Sequence, residues 1–194
     1  MKKLRLNLGC GSKLYPQEDF WINVDAIVPE KDCEIVERIG EHTPVTGKPL
    51  FHTSMLQKLN GIPDSCVDEI HAYHVIEHFF IDETYPLLNE WKRVLKPGGL
   101  IVLEQPDLLK CASNFLSGYF TGDQTMAFNL GVLGMYGAGT SKEPLMGHKT
   151  GWYPESLANQ LLRNGYINPK VTNAQTHMKT IRDFRITAEK PYEE

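Results

Sequence analysis

The chain has 194 residues and a mass of 22.0 kDa, the length of one domain with enough chain to close a hydrophobic core. Hydrophobic residues at 41% and charged residues at 23% exclude disorder, collagen-like repeats and coiled coils. Twenty Lys+Arg against 24 Asp+Glu give a net charge of -4 and a pI of about 6.0, which argues against a basic footprint for nucleic-acid phosphates.

No apolar run approaches the roughly 18 to 20 residues that span a bilayer, so no membrane segment is expected. The opening MKKLRLNLGC sets lysines ahead of leucines as an export signal does, but its apolar stretch is short and broken by Arg5 and Asn7. Cys10, Cys33, Cys66 and Cys111 form no CxxC pair. Neither a zinc knuckle nor a disulfide framework is indicated, and a reducing, cytoplasmic setting is expected.

In chain order, residues 4–8 read as a buried strand that runs into a Gly-Cys-Gly turn. Residues 20–24 (FWINV) form a second strand closed by Asp25, so soon after the turn that little room is left for a crossover helix. Residues 29–49 are rich in charge, Pro and Gly and read as irregular, with at most one short element over 33–39. A third strand is expected over 50–53, and a fourth over 67–73 (VDEIHAY) after the Pro63-Asp64-Ser65 turn signal. Asp82 opens a helix whose apolar stripe is Leu87, Leu88, Trp91, Val94 and Leu95, stopped by Pro97-Gly98-Gly99. Residues 100–103 (LIVL) make the next strand, and 107–147 read as helix and loop with many glycines and no regular period. A helix over 156–164 follows Pro154, and strands over 166–172 and 181–188 close the chain. This alternation predicts an α/β fold: a single-domain, Rossmann-like, doubly wound sheet, mostly parallel with an antiparallel C-terminal edge strand, and a ligand at the carboxyl ends of its strands.

Gly9-Cys10-Gly11 follows a strand, where glycines let a ligand approach the backbone and free amides can meet it. A dinucleotide fingerprint would need a third glycine at position 14, which is Leu14, so the pyrophosphate reading is weak. Asp25 ends the second strand, where an acidic side chain accepts both hydroxyls of a ribose; the plain alternative is a turn residue.

Four segments, LNLGCG (6–11), WINVD (21–25), DEIHAYHVIEHF (68–79) and EWKRVLKPGG (90–99), resemble in order and spacing the class I S-adenosylmethionine-dependent methyltransferases. The tail HKTGWYPESLANQLLRNGY (148–166) is similar to the closing region of small bacterial and phage-encoded members. The resemblance implies one methyltransferase domain over residues 1–194, with S-adenosylmethionine as cofactor and 110–150 as a lid that chooses the acceptor. It implies that Gly9, Cys10 and Gly11 contact the methionine portion, Asp25 the ribose, and Tyr73 and His74 the cofactor from a strand tip. An acidic residue commonly accepts the adenine amino group in that family. Ser54 stands at the matching position, with Met55 and Leu56 beside it to pack on the adenine face. The expected partner is a small-molecule or glycan acceptor. Tyr73-His74-Val75-Ile76 stands where base-amino methylases of DNA carry a DPPY-type tetrapeptide, so DNA is not expected as a substrate.

The histidines carry the most informative chemistry. His71 alternates along a strand and reads as a packed or surface residue. His74, Glu77 and His78 fall on one face if their segment is helical, and three readings compete for them. Glu77 and His78 can simply brace the turn. His74 or His148 can act as general base. His74, Glu77, His78 and His148 can gather a divalent ion, an arrangement that resembles one in small-RNA 2'-O-methyltransferases, and that ion would lower the pKa of a substrate hydroxyl. Bracing is the least demanding reading, so no bound metal is expected; His74 and His148 are the catalytic candidates. Glu104 and Asp107 end a strand, as holders of substrate hydroxyls or as a solvated strand end and a helix cap. The reading from a different class is a non-catalytic nucleotide-binding module that regulates a partner.

Overall fold

The computed structural model describes residues 3–17, 20–39 and 47–192. Its strands are β1 (Arg5–Leu8), β2 (Trp21–Asp25), β3 (Glu34–Ile35), β4 (Leu50–Thr53), β5 (Val67–Tyr73), β6 (Leu95–Pro106), β7 (Ile167–Asn173) and β8 (Asp183–Glu189). Its helices are α1 (Ile81–Val94), α2 (Leu108–Thr121), α3 (Leu133–Tyr136), α4 (Pro154–Arg163) and α5 (Lys179–Arg182), with a π-helical stretch over Met126–Val132 and 3-10 turns over Ile76–His78 and Pro144–Met146.

The strands form one sheet in the order β3-β4-β2-β1-β5-β6-β8-β7. Pairing is parallel from β3 to β6 and antiparallel where β8 meets β6 and β7. This is the α/β sheet that the alternation predicts. The reversed strand is β8, inserted between β6 and the edge strand β7.

Strand period two gives the sheet two different faces. Leu6, Leu8, Ile22, Val24, Ile70, Ala72, Ile101, Leu103, Ile186 and Ala188 point to one side and are all buried. There they share a core with Leu87, Leu88, Trp91 and Val94 of α1 and Leu157 and Leu161 of α4. The opposite face is polar. Asn7 Nδ2 donates to Asn23 Oδ1 (2.9 Å), while the Asn23 side chain also bonds the Tyr15 backbone N–H and carbonyl, so the loop after the glycine turn lies against this face.

Three local expectations shift. Leu95 belongs to β6 rather than to the helix, opposite Val67. Pro97-Gly98-Gly99 is then a bulge inside β6, because the next pair is Leu100 with Glu69, and Gly98 takes the left-handed φ of +74° that the loop-out needs. Residues 181 and 182 complete the turn α5, and β8 starts at Asp183. Two of the unperiodic glycines of 107–147, Gly118 and Gly131, are explained by close helix packing. A Cβ on Gly131 would lie 2.6 Å from that of Phe115 on α2, and one on Gly118 would lie 2.4 Å from the Ala127 backbone nitrogen.

Candidate active site

Parallel strands leave their carboxyl ends free of partners on the next element, and a crevice opens there. In this chain it is a cleft of about 830 Å³ lined by the glycine turn (Gly9, Cys10), the loop after it (Ser12, Lys13, Tyr15), the tip of β5 (Tyr73, His74) and His78. Asn129, Leu133, Met146 and His148 close it from the 110–150 segment, and Thr176, His177 and Arg182 from the approach to β8. Gly9 holds φ +63°, and a Cβ there would meet Val75 Cγ2 at 2.5 Å, so only glycine lets the turn lie this close to the strand tip. Burial, reinforced by Asp25, pushes the Cys10 thiol up to about 12, which makes it a neutral wall.

Asp25 tightens the same turn: Oδ2 accepts from the Gly11 N–H (2.9 Å) and Oδ1 from the Ala26 N–H (2.7 Å). Asp25 bonds Gly11 of the turn and its carbonyl accepts from the Ser54 N–H, but Gly11, Asp25, Ser54 and Met55 are not among the residues that line the cleft itself. Ser54 is buried and its hydroxyl donates to the Lys58 carbonyl (3.0 Å), while Met55 is 58% exposed.

His74 sits at φ +57°, rare for a residue with a side chain, and its backbone N–H donates to the Glu104 carbonyl (2.7 Å). The ring lies between two carboxylates: Nδ1 is 3.2 Å from Glu77 Oε1, and Nε2 is 3.1 Å from Asp183 Oδ2, an ionic approach without aligned hydrogen-bond geometry. Burial opposes a charge on His74, but Asp183 and Glu77 outweigh it and raise its pKa to about 9. Burial likewise opposes charge on Asp183, yet the His74 and Arg182 contacts hold its carboxyl well below the usual range. His74 is therefore an imidazolium at neutral pH and has no lone pair for a substrate proton. This arrangement supports the bracing reading of His74 over the base reading.

His148 is different. Its Nδ1 donates to the Gly134 carbonyl (3.1 Å), which leaves Nε2 with the lone pair, and burial lowers its pKa below the ordinary value. His78 Nδ1 donates to the Gly147 carbonyl (3.3 Å), and the two imidazoles meet edge to face at 5.0 Å. Glu77 Oε2, buried beside them, has no partner. Glu104 is fully occupied by structure, and Asp107 serves as a helix cap. Glu104 accepts from the Gln175 and Thr176 N–H groups, the Thr176 hydroxyl and Arg185, while Asp107 caps α2 through the Leu109 N–H. His71 is packed, between Glu69 Oε1 and Tyr73 Oη at 2.5 Å each.

A family model for a methyltransferase domain matches residues 6–103, from β1 into β6. The chain belongs to that family. The cofactor that the sequence resemblance implies is S-adenosylmethionine. Solved structures share the fold of this methyltransferase across nearly its whole length. A SAM-dependent methyltransferase from Archaeoglobus fulgidus is 18% identical at a TM-score of 0.56, covering 97% of this chain and 86% of that one. One from Methanosarcina mazei is 17% identical at 0.59, covering 99% and 94%. The 1,6-didemethyltoxoflavin-N1-methyltransferase of Burkholderia thailandensis, with bound 1,6-didemethyltoxoflavin and S-adenosylhomocysteine, is 12% identical at 0.60, covering 97% and 71%. No curated protein matches the sequence.

The residues present fit the cofactor at its methionine and ribose ends. A Cβ built on Gly11 meets nothing within 4 Å, so the turn faces open space, and Asp25 Oδ2 keeps a lone pair after accepting from Gly11, while Oδ1 accepts from both the Ala26 and Ile27 N–H groups. At the adenine end, Ser54 spends its proton on the Lys58 carbonyl and retains only acceptor capacity. His177 and Arg182 line the cleft and were not legible as site residues, because only the fold brings 176–182 beside the glycine turn, while Lys13, two residues after that turn, also lines it and was passed over. Among the described residues no helix is long and apolar enough to cross a membrane.

Proposed function

We propose that this methyltransferase moves the sulfonium methyl of S-adenosylmethionine onto an oxygen or nitrogen of a small-molecule or glycan acceptor. The observation that carries the reading is that the glycine turn and His148 line one cleft at the carboxyl ends of the parallel strands. Gly9, Cys10 and Gly11 receive the methionine portion, Asp25 the ribose hydroxyls, and Tyr73 and His74 flank them. Residues 110–150 cover the acceptor, which the cleft positions of Asn129, Leu133 and Met146 support. His148 Nε2 takes the acceptor's proton, its ring held by the Gly134 carbonyl. Holding two reactants in a near-attack geometry is worth roughly 7 to 11 kcal/mol, and a base adds about 10² to 10⁴-fold, so positioning dominates. The test is transfer of a labelled methyl group from the cofactor into a screen of metabolites and glycans. A protein that binds the cofactor and labels nothing is instead a regulatory nucleotide-binding module.

A second reading is favoured by one observation. Ligand atoms of Glu77, His78 and His148 lie within 4.8 Å of one another, and Glu77 Oε2 is buried without a partner. With both Nδ1 atoms bonded to backbone carbonyls, two imidazole Nε2 atoms and a carboxylate could hold a divalent ion of the zinc or manganese type, and His148 would then be a ligand rather than a base. The similar group of His74, His177 and Asp183 is already satisfied, since Asp183 accepts from Arg182 Nε (2.7 Å) and the Met178 N–H (3.0 Å). Elemental analysis, with activity lost to chelator and restored by the metal, selects this reading over the free base.

A further inference from the structure

We propose that Lys13, His177 and Arg182 form an anion subsite in the cleft that takes a carboxylate or phosphate group of the acceptor. The proposal rests on the methyl-transfer reading only for whose anion it is. No Asp or Glu side chain is among the residues that line the cleft, although the chain carries 24 of them and a net charge of -4. The donor itself bears a cationic sulfonium, which a basic lining does nothing to attract.

Hydrogen-bond accounting shows what the basic groups have left to give. Arg182 is 6% exposed and anchored. Its Nε donates to Asp183 Oδ1, and its Nη2 donates to Asp183 Oδ2 (3.4 Å) and to His177 Nδ1 (3.0 Å). Its Nη1 makes no hydrogen bond among the described residues and is not sealed in the interior. Arginine can only donate, so His177 Nδ1 must be the acceptor, and the proton of a neutral His177 sits on Nε2. His177 is half exposed in the cleft wall, and Nε2 is a second donor without an acceptor among the described residues. Lys13 is exposed in the lining of the same cleft, its charge adds slightly to the burial that keeps His177 unprotonated, and its ammonium has no acceptor among the described residues.

Three donor groups without acceptors among the described residues therefore line the one cleft, and the Nη1 of a pre-anchored guanidinium suits an oxygen of a carboxylate or a phosphate. Position favours the acceptor over the donor's own carboxylate. The Arg182 side chain packs on Gly134, where an added Cβ would lie 2.9 Å from Arg182 Cδ, and the Gly134 carbonyl is the group that holds His148. The subsite thus adjoins the histidine end of the cleft.

The test titrates inorganic phosphate into the full chain saturated with S-adenosylhomocysteine, with Lys13→Ala, His177→Asn and Arg182→Lys as variants. The wild-type complex should bind phosphate, and each variant should bind it about tenfold or more weakly, the scale of one charge-assisted contact. Arg182→Lys disturbs a buried ion pair and can misfold. Lys13 and His177 are surface residues, so their variants, checked by melting temperature, carry the decision. Equal phosphate binding by these two variants, or none by the wild type, overturns the subsite. Phosphate that competes with S-adenosylhomocysteine, together with a Lys13→Ala loss of affinity for that ligand but not for methylthioadenosine, assigns the anion to the donor and overturns the acceptor claim. None of these readouts needs turnover, so failure of methyl transfer would be seen separately.

Discussion

His74 Nε2 stands 3.1 Å from Asp183 Oδ2, which ties the tip of β5 to the first residue of β8 across the mouth of the cleft. Asp183 is fully buried, and Arg182, Glu77 and His177 are the other ionisable groups around the pair. The contact fixes the charge of His74 and, with the Glu104 carbonyl, its left-handed backbone.

This pair makes stability depend on pH from both sides. The folded pKa of Asp183 is lowered, so its contribution is present above the unfolded value of 3.8 and is lost as pH falls below it. The folded pKa of His74 is raised, so its contribution is full below the unfolded value of 6.5 and is lost as pH rises through about 9. The contribution of the pair to stability should therefore be greatest between about pH 5 and 6.5, read as the difference in melting temperature between wild type and an Asp183→Asn variant across the pH range. Asp183→Asn should cost roughly 3 to 5 kcal/mol in that window and flatten both flanks. A variant whose profile keeps the wild-type slopes would show that the pair is not the source.

Asp25→Ala should weaken binding of S-adenosylhomocysteine by about 1.5 to 3 kcal/mol, the value of hydrogen bonds to a charged acceptor. It also releases the Gly11 N–H, so some of the loss is disorder in the turn. Calorimetry reads the affinity, and an unchanged dissociation constant would remove Asp25 from the cofactor site.

His148→Ala should lower turnover by about 10² to 10⁴-fold, roughly 2.7 to 5.5 kcal/mol of barrier, while cofactor affinity stays near wild type. If His148 only packs, melting temperature falls and activity per folded molecule does not. Both quantities are measured on the same preparation, with the acceptor found by label transfer.

Gly134→Ala should be destabilising by about 1 to 3 kcal/mol, because the new Cβ would meet Cys111 Sγ at 2.4 Å and Arg182 Cδ at 2.9 Å. The same shift moves the carbonyl that orients His148, so turnover should fall beyond the loss of folded protein. Thermal unfolding and activity per folded molecule separate the two effects.

The strands β1, β2, β4 and β5, the 100–103 part of β6, the glycine turn and the Leu87-to-Val94 stripe of α1 were legible in the sequence, because alternation, helical spacing and glycine punctuation are local properties of neighbouring residues, whereas the two-residue β3 lies in a stretch without a clean period. Asp107 could likewise be placed as a cap from its position before an apolar helix. Leu95 could not be, since its apolar character suits the end of a helix stripe as well as the start of a strand, and pairing with Val67 decided it. The chemistry of the histidines was decided by partners far along the chain. His74 is a cation because Asp183 arrives through an antiparallel strand, and His148 keeps a lone pair on Nε2 because Gly134 presents a carbonyl to Nδ1. Sequence spacing names a residue's neighbours on its own element, whereas a proton's position depends on burial and on charges that only the folded chain brings within a few ångströms.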